Sequence, residues 1–135
     1  ESEIVFPLHL NPILRGPIIE MIGGIPNIKL IEPLDYKSFV YFMSVSYLVL
    51  TDSGGIQEEA PSLGKPVLVM RETTERQEGL AAGTVKLVGT QVDNIVLAVG
   101  KLIKSKSHYL EMSQAINPYG DGKASAYLIA HLAEV

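Results

Sequence analysis

The chain has 135 residues, of which 47% are hydrophobic, and a mean hydropathy of +0.22, which suits one folded domain with its own core and argues against disorder. Eleven Lys and Arg stand against 15 Asp and Glu, a net charge of −4, and no basic run stands out, so the composition points away from a nucleic-acid partner. The chain has no cysteine, which excludes disulfides, thiolate catalysis and a Cys-ligated metal and is compatible with a cytoplasmic setting. A small anion remains admissible as a ligand, because backbone amides bind anions without net positive charge.

No apolar run approaches the ~20 residues that span a bilayer, and no signal peptide is visible, so no membrane partner is expected. Residues 1–6 enter a strand pattern at once, and the chain is expected to be a piece of a longer protein. The first strand is expected over residues 4–8 and the first helix over 12–22. Asn11 supplies that helix with an N-cap, Pro12 takes its first position, and Gly23-Gly24 stops it. A strand over 28–31 leads to a helix over 35–44, a strand over 47–51 to a helix over 54–63, and a strand over 66–70 to a helix over 74–82. In the last of these, Thr74 and Gln77 have capping-box spacing. A fifth strand covers 85–88. Three helices follow, over 92–103, 107–115 and 123–133, the last after a break at Asn117-Pro118-Tyr119-Gly120-Asp121-Gly122. Most strand runs are continuously apolar, as expected of strands covered on both faces. The alternation therefore predicts an α/β fold: a Rossmann-like open parallel sheet with helices on both faces and right-handed crossovers. No repeat or linker divides it, so residues 1–135 read as one domain.

In such sheets ligands bind beyond the carboxyl ends of the strands, so chemistry is sought in the strand-to-helix turns. The most informative run is Tyr47-Leu48-Val49-Leu50-Thr51-Asp52-Ser53-Gly54-Gly55-Ile56-Gln57-Glu58-Glu59. Here Ser53 is placed to cap a helix, and Gly54 and Gly55, lacking Cβ atoms, let an anion approach their N–H groups where the helix dipole favours negative charge. Glu59 lies one turn beyond Gly55 and leans back toward the helix start, within reach of two ribose hydroxyls. A well-capped helix with acids in its first two turns fits the same pattern. Arg76 is expected in the first turn of the next helix, where a cation opposes the dipole unless a phosphate compensates it; an exposed arginine paired with Glu72 or Glu75 is the other reading, and the preferred one for Arg71. Phe39 stands at the height of a base, although aromatics at such places are commonly core. His9, after the first strand, is suited to phosphate or to titration, or to a structural hydrogen bond. Three scattered histidines, His9, His108 and His131, lack metal-ligand spacing, so no metal is expected. The run Gly-x-Gly-x-x-Gly and the Walker lysine motif are both absent, and no cofactor is expected.

The stretch Thr51-Asp52-Ser53-Gly54-Gly55-Ile56-Gln57-Glu58-Glu59-Ala60-Pro61 resembles the non-hydrolysing UDP-N-acetylglucosamine 2-epimerases. So do Gly64-Lys65-Pro66-Val67-Leu68-Val69-Met70-Arg71-Glu72-Thr73-Thr74-Glu75-Arg76, residues 79–89, His9-Leu10-Asn11-Pro12 and the break at residues 117–122. What the chain resembles is the C-terminal half of such an enzyme. The resemblance implies a glycosyltransferase-B-like architecture of two Rossmann-like domains with the site between them. It implies interconversion of UDP-N-acetylglucosamine and UDP-N-acetylmannosamine by elimination of UDP and its re-addition. It also implies catalytic carboxylates in an N-terminal domain that this chain lacks, no nicotinamide, a homodimer at full length and a role in polysaccharide biosynthesis. Carried over by position, Ser53, Gly54 and Gly55 hold the diphosphate and Glu59 the ribose. Phe39 and the backbone at Leu34 flank the uracil, Arg76 faces the phosphates or sugar, and His9 belongs to a second, activating UDP-N-acetylglucosamine site. The chain alone is expected to be inactive.

Three alternatives use similar features. A hydrolysing 2-epimerase or a glycosyltransferase would share the Gly-Gly turn and the ribose-binding acid, and would differ in the other half of the enzyme. A stand-alone nucleotide-binding or regulatory module is the third; a receiver-like domain would need acids after the first strand, where this chain has His9 and Asn11.

Overall fold

In a computed structural model that describes residues 2–133, the elements run β1 (Ile4–Pro7), α1 (Pro12–Ile22), β2 (Ile28–Ile31), α2 (Tyr36–Val45), β3 (Val49–Thr51), α3 (Gly54–Ser62), β4 (Val67–Val69), α4 (Gln77–Ala82), β5 (Val85–Leu87), α5 (Val92–Lys104), α6 (Lys106–Ser113) and α7 (Ala124–Ala133). The five expected strands are all present and every pairing is parallel, so the chain is α/β with open parallel sheets. They form two sheets, β1-β2 and β3-β4-β5, rather than one ladder. Contacts divide the chain into two compact units, Glu1–Phe42 and Met43–Val135.

In the first unit, β1 and β2 pair from Ile4↔Ile28 to Pro7↔Ile31. Helix α1 starts as its sequence dictates: the Asn11 side chain accepts a hydrogen bond from the Ile13 amide at 3.0 Å, and Pro12 takes a position where its missing N–H costs nothing. Asp35 does the same service for α2, its two carboxylate oxygens accepting from the Ser38 amide (3.1 Å) and hydroxyl (2.7 Å). Those bonds, the side-chain one first, hold the Asp35 carboxyl below its ordinary pKa. Arg15 on α1 pairs with Glu32 just beyond β2.

In the second unit the central strand β4 is buried along its whole length. Leu68 packs with Val88, Ala98 and Leu102, flanked by Ile95, Val99 and Met112. Because neighbouring strand residues point to opposite faces, Val67 and Val69 face the other way, where α3 packs on β3 and β4 and buries Gln57, Ala60 and Pro61. Both faces of this sheet are thus covered, which is why its strands read as unbroken apolar runs rather than alternating ones. Tyr47 stacks on Tyr109 with ring centroids 4.2 Å apart and donates to the Leu102 carbonyl at 3.2 Å, tying the start of β3 to α5 and α6.

Two helix starts depart from expectation. Ser53 occupies the cap position of α3 in extended backbone, but its side chain makes no capping bond. Helix α4 begins at Gln77, not Thr74, with Arg76 in the cap position. Thr74 therefore forms no capping box: its hydroxyl is bound elsewhere, to Gln57 and to the Arg76 amide.

Candidate functional site

Strands β3 and β4 are parallel neighbours, paired from Val49↔Val67 to Thr51↔Val69, so their carboxyl ends lie at one edge of the sheet. The turn after β3 (residues 52–53) and the stretch after β4 (residues 70–76) emerge there together. From the first, α3 starts with Gly54 and Gly55. Neither has positive φ, so the backbone does not demand glycine at either place. What the glycines provide is clearance. A Cβ on Gly55 would have only Glu59 Oε1 near it, at 4.0 Å, and a Cβ on Gly54 would face Glu75 Oε1 at 3.0 Å and the Arg76 guanidinium at 3.5 Å.

The start of α3 is therefore an open donor surface. The first N–H groups of a helix have no partner within it. No side chain caps them here, no acid stands in the first turn, and Ser53 and Gly55 are exposed. The Ser53 amide donates to Thr51 Oγ1 at 3.1 Å, while the Ser53 hydroxyl has no partner among the described residues. Glu59 reaches back toward Gly55, as its place one turn on requires, and its carboxylate likewise has no partner among the described residues. Its neighbour Glu58 is committed to Arg76, with Oε1 accepting from Nε at 2.7 Å. Two adjacent glutamates of the same helix are thus in different states, one ion-paired and one unengaged.

Arg76 sits just before α4 rather than in its first turn. Its guanidinium is bonded to Glu58 and to Glu75, at 2.8 Å for the latter. These acids raise the guanidinium pKa further, the Glu58 hydrogen bond most, so Arg76 is a permanent cation beside the glycine turn. Arg71 takes the paired role preferred for it, bonded to Glu75 at 3.2 Å. The Glu75 carboxyl lies below its ordinary pKa, chiefly through hydrogen bonding to its own amide and, against some desolvation, through the charges of Arg71 and Arg76. Glu72 turns instead to the end of β5, where it accepts from the Thr90 amide at 3.4 Å.

Sequence reasoning missed what fastens these turns. Gln57 is fully buried, donates to the Ser53 carbonyl at 3.1 Å and accepts from the Thr74 hydroxyl at 2.7 Å. Only the bond to Ser53 was open to a reading of sequence, since the two residues are one helical turn apart. Tyr119, from the break before α7, accepts the Gly79 amide at 3.1 Å in the first turn of α4, and Asn117 donates to the Ser62 hydroxyl at 2.7 Å. Burial raises the Tyr119 phenol pKa above its usual value.

His9, Leu34 and Phe39 belong to the first unit. His9 is exposed, and its Nδ1 accepts from the Asn11 amide at 3.1 Å, which leaves Nε2 as the donor of the neutral ring. Leu34 and Phe39 are half-buried, Phe39 in α2 with its amide donating to the Asp35 carbonyl.

The second unit thus brings Ser53, Gly54, Gly55, Glu59 and Arg76 together. This face offers helix-start amides and a cation suited to an anion, and an unengaged acid able to accept from hydroxyls. A concavity of about 430 Å³ lies elsewhere, along β5 and α5 between Arg71, Lys86 and Lys101, and does not include the glycine turn.

A family model described as UDP-N-acetylglucosamine 2-epimerase matches residues 1–133. The chain is 57% identical over 129 residues to the UDP-N-acetylglucosamine 2-epimerase of Campylobacter jejuni, covering 96% of this chain and 34% of that protein. It is 55% identical over 132 residues to that of Escherichia coli K12, covering 98% and 35%. The structure superposes with a TM-score of 0.89 on a UDP-GlcNAc 2-epimerase from Neisseria meningitidis bound to UDP-GlcNAc, at 53% identity, covering 98% of this chain and 36% of that one. The chain spans about a third of the length of these relatives, and it belongs to the UDP-N-acetylglucosamine 2-epimerase family.

Proposed function

We propose that this chain is the UDP-binding, C-terminal part of a non-hydrolysing UDP-N-acetylglucosamine 2-epimerase, and that UDP binds at the start of α3. The observation that carries the reading is the open Ser53-Gly54-Gly55 turn with Arg76 beside Gly54 and the unengaged Glu59 reaching back toward Gly55. Ser53, Gly54, Gly55 and Arg76 take the diphosphate and Glu59 the ribose hydroxyls. Phe39 and the Leu34 backbone take the uracil, and His9 a second, activating UDP-N-acetylglucosamine. The complex of the Neisseria relative with UDP-GlcNAc supports the ligand class.

In the reaction, a base removes the sugar C2 proton as the C1–O bond breaks, giving a 2-acetamidoglucal and UDP. Protonation of C2 on the opposite face and return of UDP to C1 give the epimer. Charge grows on the UDP diphosphate as it leaves. Pre-placed amides, joined by Arg76 once it turns from Glu58 and Glu75, stabilise that charge in the transition state. This chain's residues therefore bind the leaving group, and proton transfer falls to carboxylates in the rest of the longer enzyme. The apolar side chains that α7 leaves exposed, Tyr127, Leu128, Ile129 and Leu132, suit burial against that remainder. The full enzyme works as a cytoplasmic homodimer. Among the described residues, no helix is long and apolar enough to cross a membrane.

Product analysis by NMR in deuterated water tests the reaction class. The full-length enzyme is expected to turn UDP-N-acetylglucosamine into UDP-N-acetylmannosamine carrying deuterium at C2, and this chain alone to turn over nothing. Free N-acetylmannosamine and UDP as the accumulating products would mean a hydrolysing enzyme instead.

A further inference from the structure

We infer that Gln57 and Thr74 are positioning residues that hold Arg76 against the open start of α3 and so set affinity for the phosphates of the nucleotide rather than for its nucleoside. The inference rests on the reading of the glycine turn as the UDP site. Neither side chain reaches the surface to touch a ligand: Gln57 is 0% and Thr74 5% exposed. They instead form an unbroken chain of hydrogen bonds between the two turns. The Gln57 amide donates to the Ser53 carbonyl at 3.1 Å, the Thr74 hydroxyl donates to Gln57 Oε1 at 2.7 Å, and the Arg76 amide donates to the Thr74 hydroxyl at 3.1 Å. The Thr74 hydroxyl is the pivot, donating once and accepting once. No helix or strand ladder fixes Arg76, whose backbone lies outside the helical region at φ −95°, ψ 64°. The Thr74 hydroxyl thus orients the Arg76 backbone amide, from which the guanidinium, held by Glu58 and Glu75, extends to 3.5 Å from the Cβ position of Gly54.

A buried amide–hydroxyl pair is costly to leave half-satisfied, so removing one partner shifts the turn. Because the charge-assisted hydrogen bonds of a guanidinium to phosphate weaken steeply when misaligned, the ligand's phosphates register that shift and its ribose and base do not.

The test is calorimetric titration of UDP and of uridine into the full-length enzyme and its Thr74→Val, Thr74→Ser and Gly55→Val variants. Thr74→Val keeps the shape and removes the hydroxyl. It is expected to lose about tenfold or more in UDP affinity with uridine affinity unchanged, and Thr74→Ser, which restores the hydroxyl, to recover the wild-type ratio of the two. If Thr74→Val does not fold, Thr74→Cys, with a weaker donor of similar size, is read by the same ratio. Equal losses for UDP and uridine, or wild-type UDP affinity in a folded variant lacking the hydroxyl, would overturn the proposal while Gly55→Val still abolishes UDP binding. UDP binding indifferent to Gly55→Val would overturn the site itself and this proposal with it.

Discussion

Helices α1 and α3 begin alike in sequence, each with a small polar residue after a strand, and end up in opposite states. Asn11 and Ser53 hold the same cap position in the same extended backbone, φ −62°, ψ 116° and φ −79°, ψ 135°. Asn11 closes the start of α1 by accepting the Ile13 amide, whereas the Ser53 side chain caps nothing and two glycines follow it. Helix α2 is closed by Asp35 and α6 by Ser105. Helix α5 is also uncapped, but it carries Asp93 in its first turn and so answers its own dipole. The start of α3 has neither cap nor first-turn acid, and a cation lies alongside it. Under the proposed function, these uncapped donors are the ones the diphosphate meets.

The substitution that breaks this comparison most sharply is Gly55→Val. The exposed turn has room for the new Cβ, with only Glu59 Oε1 near it, at 4.0 Å, so the melting temperature should hold. UDP affinity should fall about a hundredfold or more, because the branched side chain fills the diphosphate's approach. Calorimetric titration beside a thermal melt checks both halves.

Arg76→Ala comes next, with UDP affinity lower by roughly ten- to hundredfold through loss of charge-assisted bonds. Removing the cation also leaves Glu58 without its partner and Glu75 held by Arg71 alone beside the diphosphate, so Arg76→Lys should recover part of the loss. Glu59→Gln, which keeps shape and removes charge, should cost about tenfold. Competition between UDP and deoxy-UDP locates that effect, since the preference for the ribose form should shrink in the variant.

Smaller still, and aimed at the other helix start, Asn11→Ala should cost about 1 kcal/mol of stability through loss of its cap. Ser53→Ala should leave stability within error, there being no capping bond to lose. Chemical denaturation of the two variants separates them. The smallest expected effect is that of pH. The carboxyls of Asp35 and Glu75 lie below their ordinary pKa values when folded. Each therefore contributes stability that is complete above its unfolded pKa and lost as pH falls through the depressed folded value. Melting temperatures should be flat down to about pH 5 and decline below about pH 4.

Much of this was legible in the sequence because it is local. Asn11-Pro12 announced α1, five apolar runs announced the five strands, and the Ser53-Gly54-Gly55 turn and the backward reach of Glu59 follow from helix geometry alone. What was illegible is tertiary. Thr74 and Gln77 have the spacing of a capping box, but the Thr74 hydroxyl is taken by Gln57, 17 positions away, so the helix starts later. The capture of Arg76 by Glu58, 18 positions apart, and the hold of Tyr119 on Gly79 likewise depend on which chain ends the sheet brings together. The same holds for the arrangement of five parallel strands as a pair and a triplet, since local pattern names strands and not their neighbours.

The most direct test of the central claim is a crystal structure of the full-length enzyme with UDP. The diphosphate oxygens are expected within about 2.7–3.2 Å of the Gly54 and Gly55 amides, with Arg76 turned from its carboxylates toward them and Glu59 bonded to the ribose hydroxyls. A diphosphate bound elsewhere, with the start of α3 facing only water and Arg76 still locked to Glu58 and Glu75, would contradict the account.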